Sequence, residues 1–354
     1  MERSEHDLKK TLLITGGCGF IGSNFIHHMR RTHPELQLIN LDKLSYSGNP
    51  ENLNSLKDDP YYRFVHGDIT DEHLVRTLLQ EDHVWALVHF AAESHVDRSI
   101  SGPKTFVQAN IVGTHVLLES ARQYWIDTLS REPSFRFVHI STDEIYGTLG
   151  KDGSFFEESP FRPNSPYAAT KAAADLLVRA YFETYGLPTL IVRPSNNYGP
   201  YQYPEKFIPL MITNLIEDKP LPIYGKGLNV RDWIFVTDTC RAVDLIMDKG
   251  KPGEAYNVGG ETEKPNIDVA RDLLALFGKE AAEGAYLTFV ANRPGHDLRY
   301  ALNNEKIKGE LGFKPAVAFQ EGMEQTVAWY KENKWWWRPL KQRLSQESKG
   351  FWST

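Results

Sequence analysis

The chain has 354 residues, enough for one large domain or two unequal ones with a sizeable core, and its 40 basic and 46 acidic residues give a formal net charge of -6. Neither sign of charge is gathered into long blocks, and no segment supplies the roughly 20 apolar residues of a membrane span, which argues against nucleic-acid and membrane partners. The only two cysteines, Cys18 and Cys240, exclude a disulfide framework, and the start, MERSEHDLKK, lacks the apolar run of a signal peptide, so a cytoplasmic location is expected.

Short apolar runs bounded by turn residues recur through the first half of the chain: TLLIT, LQLINL, YRFVHGD, ALVHFAA, FRFVHIST and TLIVRPS. Helix-like segments, among them 108–124 and 167–185, lie between these runs. This alternation is typical of a parallel sheet that is covered by helices on both faces. The sequence therefore predicts an α/β fold with a doubly wound, Rossmann-type parallel sheet.

A second, smaller domain is predicted after about residue 194, where Pro and Gly become frequent and the strand-helix rhythm less regular. The segment WIFVTDTCRAVDLIMD is interpreted as a strand and helix that return to the first domain. We predict a larger first domain at 1–194 with returns at about 232–260 and 318–340, and a smaller, mixed α/β domain at about 195–231 and 261–317.

A glycine-rich turn follows the first predicted strand in TLLITGGCGFIGSNF, where Gly16, Gly19 and Gly22 precede a helix. Glycines allow a tight turn and close approach of a pyrophosphate, which the helix N-terminus stabilises. The second strand ends at Asp42, whose carboxylate can accept hydrogen bonds from the adenosine ribose and would repel a 2'-phosphate, so NAD is favoured over NADP. The alternative is a turn that only packs a helix on a sheet.

Several neighbouring residues complete the predicted cofactor site. Asp68 in VHGDI could meet the adenine or could be a solvated turn acid, and Cys18 is interpreted as a small space-filler and not as a reactive thiol. The remaining candidate cofactor contacts are Phe20, Ile21, Ile69 and Ala91.

A tyrosine and a lysine lie four residues apart in RPNSPYAATKAAADLL. Asn164 or Ser165 can cap a helix that Pro166 opens, and Tyr167 and Lys171 then share a face. A lysine ammonium beside a phenol and the positive charge of a bound nicotinamide both lower the phenol pKa, so that Tyr167 could take a hydroxyl proton while hydride leaves the same carbon. Lys171 could also hold the nicotinamide ribose. A tyrosine and a lysine at this spacing also occur by chance on surface helices, but their position after a dinucleotide-binding turn favours a catalytic role.

Two adjacent acids follow the apolar run FRFVHI, in the stretch STDEIYG that contains Thr142, Asp143 and Glu144. Considered alone, the acids could be a solvated loop pair or a charge pair at a helix N-terminus. An ionised and a protonated carboxyl within reach of one substrate would instead provide a base and an acid.

The motifs GGCGFIG, STDEIYG and YAATK, with Asp42, together resemble the extended short-chain dehydrogenase/reductase superfamily. FAAESHVDRS, RPSNNYGPYQYPEKFIP, LPIYGKGLNVRDWIFV and NRPGHDLRYA narrow the resemblance to the nucleotide-sugar 4,6-dehydratases, from about residue 10 to about residue 340. Three residues differ from those usual in the family motifs, namely Thr170, Pro194 and Phe207. None of these differences removes a required functional group.

The resemblance implies dehydration of dTDP-glucose to dTDP-4-keto-6-deoxyglucose, for deoxysugar synthesis, by C4 oxidation, loss of water across C5 and C6, and hydride return to C6. It implies Glu144 as the C5 base, Asp143 as the acid that protonates the leaving C6 oxygen, and Thr142 as a hydrogen-bond donor to the C4 hydroxyl beside Tyr167. Plain epimerases of the superfamily do not need the acid pair. A dehydratase for a UDP-, CDP- or GDP-sugar and a non-catalytic NAD-sensing protein are also compatible with the fold.

The same resemblance indicates where the nucleotide sugar binds. Lys206, Arg231 and Arg293 would contact a diphosphate, and Tyr224 would stack on or line the base, although each cation could instead form a surface salt bridge. His95 and Asp97 would lie in a loop near nicotinamide and sugar, and His95 is not expected to be catalytic. The complete set of predicted substrate residues is Ser94, Asn196, Lys206, Tyr224, Arg231, Asn266, Arg293 and His296, and no metal is expected.

Two further features concern packing. The helices at 108–124 and 167–185 carry apolar residues on more than one side, and the resemblance implies a homodimer there, although burial under a neighbouring helix would explain the same pattern. The run Trp335–Trp337 could stack on a ligand, but its position after a helix-like segment favours packing of the tail against the body.

Overall fold

The structure is a computed structural model that describes residues 10–347. The predicted lack of a signal peptide concerns residues 1–9 and so lies outside the described part. Among the described helices, none has both the length and the apolarity needed to cross a membrane.

A seven-stranded parallel sheet forms the larger part of the fold and confirms the predicted α/β class. The strand order is β10-β6-β5-β4-β1-β2-β3, in which β1 is Thr11–Thr15, β2 Gln37–Asp42, β3 Tyr62–His66, β4 Val84–His89, β5 Arg136–Ile140, β6 Thr189–Pro194 and β10 Ala255–Val258. Most of these strands are largely apolar and buried because helices cover both faces of the sheet, whereas the edge strand β3 is partly exposed. Leu12 and Ile14 pack on one face, and Leu13 packs on the other.

Thirteen α-helices accompany the described strands: α1 (Phe20–Thr32), α2 (Glu72–Glu81), α3 (Val96–Ser101), α4 (Pro103–Phe106), α5 (Thr114–Asp127), α6 (Pro166–Tyr185), α7 (Phe207–Ile216), α8 (Val236–Lys249), α9 (Asn266–Leu276), α10 (Glu283–Tyr286), α11 (Glu305–Leu311), α12 (Phe319–Glu332) and α13 (Lys334–Glu347). Short 3-10 helices occupy Pro50–Leu56, Asp143–Tyr146 and Glu280–Ala282, and a π-helix occupies Val107–Gly113. The predicted helix at 108–124 is therefore a π-helix that continues into α5.

Two small sheets form the rest of the fold. Strands β7 (Asn196–Tyr198), β9 (Val230–Phe235) and β11 (Glu263–Pro265) form a mixed sheet in the order β11-β9-β7, and β8 (Leu221–Tyr224) pairs with β12 (Leu287–Val290). Their apolar residues pack with α7, α9 and α12 in a core separate from the two cores that cover the large sheet.

The chain passes between these parts more than once. WIFVTDTCRAVDLIMD divides between them, because β9 pairs with β7 and β11 whereas α8 packs on the large sheet. The predicted return of a strand to the first domain at residue 232 is therefore wrong, and the return begins with the helix. Helix α11 also packs beside the large sheet, against β10. The predicted return at about 318–340 is also wrong, because α12 packs with α7, α9 and β9 in the core of the small sheets. The other domain boundaries stay a prediction.

The tryptophan run is largely buried. Trp336 and Trp337 are 3% and 0% exposed, whereas Trp335 is 59% exposed. Packing of the tail against the body is confirmed for the two buried rings.

Candidate active site

The glycine turn between β1 and α1 brings backbone close to backbone. A Cβ atom on Gly22 would lie 2.3 Å from the carbonyl oxygen of Gly16, and Gly16 itself has φ +74°, so both positions require glycine. Gly19 precedes α1 with no side-chain cap, and the first turn of the helix contains no acidic residue. The first amides of α1 are therefore available to an anion such as a pyrophosphate.

Asp42 is fixed at the end of β2 beside this turn. Its carboxylate accepts the backbone N–H of Cys18 at 2.9 Å and that of Leu44 at 2.8 Å, and burial raises its pKa. Two of its lone pairs are therefore occupied by backbone, and the carboxylate still lines the adjoining cavity, where a ribose could reach it.

A first cavity of about 1190 Å³, partly open to solvent, lies over the carboxyl ends of the strands. The predicted cofactor residues that line it are Gly16, Gly19, Phe20, Ile21, Gly22, Asp42, Ile69, Ala91, Tyr167 and Lys171. Asp68 is not among its lining residues, and its carboxylate lies 3.6 Å from the ammonium of Lys43, which does line the cavity. The glycine turn, the open helix N-terminus and Asp42 together fit a dinucleotide.

A second cavity of about 990 Å³ adjoins the first. It is lined by Glu144 and by all of the predicted substrate residues, namely Ser94, Asn196, Lys206, Tyr224, Arg231, Asn266, Arg293 and His296. Ser94, Gln202 and Lys206 line both cavities, and the ammonium of Lys206 donates to the carbonyl of Ser94 at 2.9 Å. A ligand in one cavity can therefore reach a ligand in the other.

The acid pair begins the 3-10 helix that follows β5. Thr142 precedes this helix, and its hydroxyl oxygen accepts the backbone N–H of Glu144 at 3.3 Å and donates to Asp143 Oδ1 at 3.3 Å. Asp143 is only 2% exposed. Burial and then the negative charge of Glu144 hold the pKa of Asp143 well above its usual range.

Glu144 lies in a different electrostatic environment. Burial raises its pKa as well, but the positive charges of Arg293, Arg231 and Lys206 oppose that shift. The site thus favours a protonated Asp143 beside an ionised Glu144, which is the division of charge that an acid and a base require.

Tyr167 and Lys171 lie near the start of α6, as predicted, and Ser165 caps the helix by accepting the N–H of Ala168 at 3.1 Å. Lys171 Nζ donates to the carbonyl of Ile140 at 2.7 Å and contacts His139 Nε2 at 3.3 Å. Burial lowers the pKa of Lys171 to about 8.

The prediction that Lys171 lowers the pKa of the Tyr167 phenol is wrong for this geometry. Burial and the negative charge of Glu144 raise that pKa, although the hydrogen bond with Thr142 opposes them. The lysine ammonium is directed to the carbonyl of Ile140 instead. The phenol therefore starts protonated, hydrogen-bonded to Thr142 and close to Glu144.

Comparison with known proteins identifies the family. A family model described as GDP-mannose 4,6 dehydratase matches residues 13–326. A dTDP-glucose 4,6-dehydratase of Xanthomonas campestris pv. campestris (strain B100) is 50% identical over 335 residues, which cover 92% of this chain and 94% of that protein. This chain belongs to the dTDP-glucose 4,6-dehydratase family.

Solved structures from the dTDP-glucose 4,6-dehydratase family superpose over nearly the whole chain. The enzyme from Streptomyces venezuelae, with NAD bound, is 48% identical with a TM-score of 0.87, covering 93% of this chain and 99% of that one. The enzyme from Bacillus anthracis, in complex with NAD, is 46% identical with a TM-score of 0.85, covering 94% and 99%.

The fold of the dTDP-glucose 4,6-dehydratase family is shared with epimerases. A UDP-glucose 4-epimerase from Thermotoga maritima is 28% identical with a TM-score of 0.82, covering 92% of this chain and 99% of that one. Since dehydratase and epimerase share the architecture, the fold alone does not distinguish the two chemistries. The distinction depends on side chains such as Asp143 and Glu144.

Sequence reasoning places Asp97 only in a loop near nicotinamide and sugar, and it misses the contacts that hold this dehydratase-family site together. Asp97, in the segment FAAESHVDRS, accepts the Tyr224 hydroxyl at 3.0 Å and lies 3.3 Å from Arg293, so it orients both. Asn110 in the π-helix donates to the Thr170 hydroxyl at 2.9 Å and to the carbonyl of Glu93 at 3.0 Å. These contacts join distant segments, and the sequence offers a local signal only at Asn110, a polar residue in a largely apolar stretch.

Proposed function

We propose that this chain is an NAD-dependent lyase that converts dTDP-glucose to dTDP-4-keto-6-deoxyglucose. The observation that carries the proposal is the acid pair: Asp143 is buried, and Glu144 lines the substrate cavity in front of three cations. Membership of the dTDP-glucose 4,6-dehydratase family supports the same substrate and cofactor. A plain epimerase or a dinucleotide-binding scaffold has no need of two carboxyls with opposed protonation.

When bound, NAD accepts a hydride from sugar C4 and returns it at C6. Bound nicotinamide would supply a positive charge that favours the phenolate, so that Tyr167, after losing its own proton to solvent, takes the proton of the C4 hydroxyl, and Thr142, within hydrogen-bond reach of Tyr167, positions that hydroxyl. The ketone at C4 acidifies the C5 hydrogen, which Glu144 removes. Asp143 supplies a proton to the C6 oxygen as it leaves as water, and when hydride adds to C6 the protonated Glu144 gives a proton, exchangeable with solvent, back to C5.

The second cavity provides recognition of the nucleotide. Lys206, Arg231 and Arg293 face it and supply positive charge for a diphosphate. Arg231 is held in place by donating to the carbonyl of Asp297 at 3.0 Å and by lying 4.3 Å from the ring centroid of Tyr300. The aromatic ring of Tyr224 lines the same cavity and offers a surface for a base.

The proposal also includes the oligomeric state, the cellular location and the division into domains. The π-helix and α6 expose Val107, Val112 and Leu176 at 44%, 37% and 56%, and these apolar side chains support a homodimer through the two helices. Cys18 and Cys240 are buried free thiols, as suits a reducing cytoplasm. We retain the two-domain division, with NAD in the larger domain and the nucleotide sugar mainly in the smaller.

Turnover should depend on the ionisation of Glu144. Its pKa is raised above the usual value, so the active carboxylate is present above that raised pKa and is lost as the pH falls through it. We expect kcat to fall about tenfold per pH unit below that point, at a pH higher than an exposed glutamate would give. A pH profile of kcat measures this limb.

Formation of reduced cofactor by a Glu144→Gln variant provides the control, because C4 oxidation does not use Glu144. Its rate should lack the acid limb assigned to that carboxylate. An identical limb in both proteins would assign it to another group and contradict the role given to Glu144.

The direct test of the function is product mass after purified protein is incubated with dTDP-glucose, UDP-glucose or GDP-glucose. Loss of one water from dTDP-glucose, at a kcat/KM far above that for the other two, is the expected result. An isomer of unchanged mass would indicate an epimerase, and preference for another nucleotide would refute the proposed base specificity.

A further inference from the structure

The C-terminal helix α13 contacts the glycine turn through a single intermediate residue. The indole N–H of Trp336 donates to Asn52 Oδ1 at 2.8 Å, and Asn52 Nδ2 donates to the carbonyl oxygen of Cys18 at 2.9 Å. Asn52 and Trp336 are 2% and 3% exposed. A buried chain of two hydrogen bonds therefore leads from the last helix to the predicted pyrophosphate site.

The direction of this chain is fixed by chemistry. An indole N–H can only donate, so Asn52 must present its oxygen to Trp336 and its NH2 group to Cys18. The carbonyl of Cys18 also accepts the N–H of Asn49 at 2.9 Å, and the N–H of Gly19, on the same peptide group, donates to Gly16 at 3.1 Å. The peptide immediately before α1 is thus held on both sides.

A second contact from the same helix reaches two other residues that line the first cavity. Arg343 donates to the carbonyl of Tyr46 at 2.5 Å and to the Tyr203 hydroxyl at 3.0 Å. Tyr46 and Tyr203 both line the cavity, and their rings pack edge to face with centroids 5.7 Å apart. Helix α13 therefore connects the glycine turn with the two segments that cover the cavity.

The helix is anchored at its start. Trp337 is fully buried, and its indole N–H donates to the carbonyl of Tyr330 in α12 at 2.8 Å. The Tyr330 hydroxyl in turn donates to the carbonyl of Gln202, which lies in the segment shared by the two cavities. Because the start of the helix is fixed in this way, the contacts made by Trp336 and Arg343 can restrain the turn and the cavity wall.

We propose that α13 acts as a strap that slows the release of NAD, with Trp336 and Arg343 as positioning residues that act through Asn52, Tyr46 and Tyr203. This inference rests on the proposed function, in which the cofactor ends each turnover in its starting redox state and has no need to leave. The strap converts a dinucleotide site that could exchange its ligand into one that retains it.

The test measures NAD release from the holoenzyme in the absence of sugar. Trp336→Phe keeps a buried ring and removes the donor, and Arg343→Met keeps an unbranched stem of similar bulk to the arginine methylenes and removes the hydrogen bonds. Each variant should release NAD about tenfold faster than the wild-type protein when excess etheno-NAD is added as a fluorescent competitor. Trp335→Phe is the matched control in the same run, since its ring is exposed, and it should release NAD at the wild-type rate.

A general loss of packing would be distinguished from loss of the strap by kcat at saturating NAD and by KM for the sugar. The strap predicts that both variants need added NAD for full turnover, while kcat at saturating NAD and KM for the sugar stay within about twofold of wild type. Because Arg343 is exposed, Arg343→Met should fold even if Trp336→Phe does not. Release rates of Trp336→Phe and Arg343→Met equal to that of Trp335→Phe would overturn the proposal. Because release is measured without sugar, a failure of the dehydratase assay would leave this result intact.

Discussion

Replacing Tyr167 by Phe should reduce turnover of dTDP-glucose by about 10²- to 10⁴-fold, the contribution usual for a group that transfers a proton in the rate-determining step. In the proposed mechanism the Tyr167 phenol, which lines the first cavity, takes the C4 hydroxyl proton, and no neighbouring carboxyl substitutes for it, because Asp143 and Glu144 are assigned to C6 and C5. The ring itself packs edge to face on Phe106 with centroids 6.4 Å apart, and phenylalanine preserves that contact. The fold and NAD binding should therefore survive.

The measurement is kcat with dTDP-glucose, together with titration of NAD into the variant. Tyr185→Phe is the control on the same helix, because Tyr185 is 45% exposed at the end of α6 and does not line either cavity. It should retain wild-type turnover. If Tyr167→Phe also kept turnover within a few-fold, the tyrosine would have no part in proton transfer.

Replacing Glu144 by Gln should separate the two halves of the reaction. The amide is nearly isosteric but cannot accept the C5 proton, so elimination should slow by about 10²- to 10⁴-fold. C4 oxidation depends on Tyr167 and should continue. Mixing the variant with dTDP-glucose should therefore produce the absorbance of reduced nicotinamide, which persists while little dehydrated product forms.

Stopped-flow absorbance follows the first step and mass spectrometry follows the product. Glu158→Gln, an exposed glutamate later in the same segment, should show wild-type elimination without accumulation of reduced cofactor. Elimination at the normal rate in Glu144→Gln, with no accumulation, would assign the C5 base to another group.

The cofactor half of the site could be predicted because its signals are local. The backbone geometry of the turn requires glycine at Gly16 and Gly22, and Asp42 follows at the end of the next strand. The strand, the turn and the acid can therefore be recognised one after another in the sequence. The acid pair is similar, since two carboxyls directly after a buried strand must lie at the carboxyl edge of the sheet. Their protonation states required the structure, because burial of Asp143 and the cations facing Glu144 come from different parts of the chain.

The features that sequence reasoning missed are contacts between distant segments. Strand β9 looked like part of the large sheet because its apolar run is the same in either sheet, and only pairing with β7 and β11 decides the matter. Lys171 was expected to face Tyr167, but the carbonyl of Ile140 in β5 is the better partner for a buried ammonium. Trp336 and Asn52 are 284 residues apart, and nothing near either residue indicates the other.

The most direct test of the account is to incubate the purified protein with dTDP-glucose in deuterated water, without adding NAD, and to determine the product mass and the position of deuterium. The account predicts a product that has lost one water and carries deuterium at C5, formed by cofactor that the protein has retained through purification. A product of unchanged formula, or a dehydrated product without deuterium at C5, would contradict the roles given to Asp143 and Glu144.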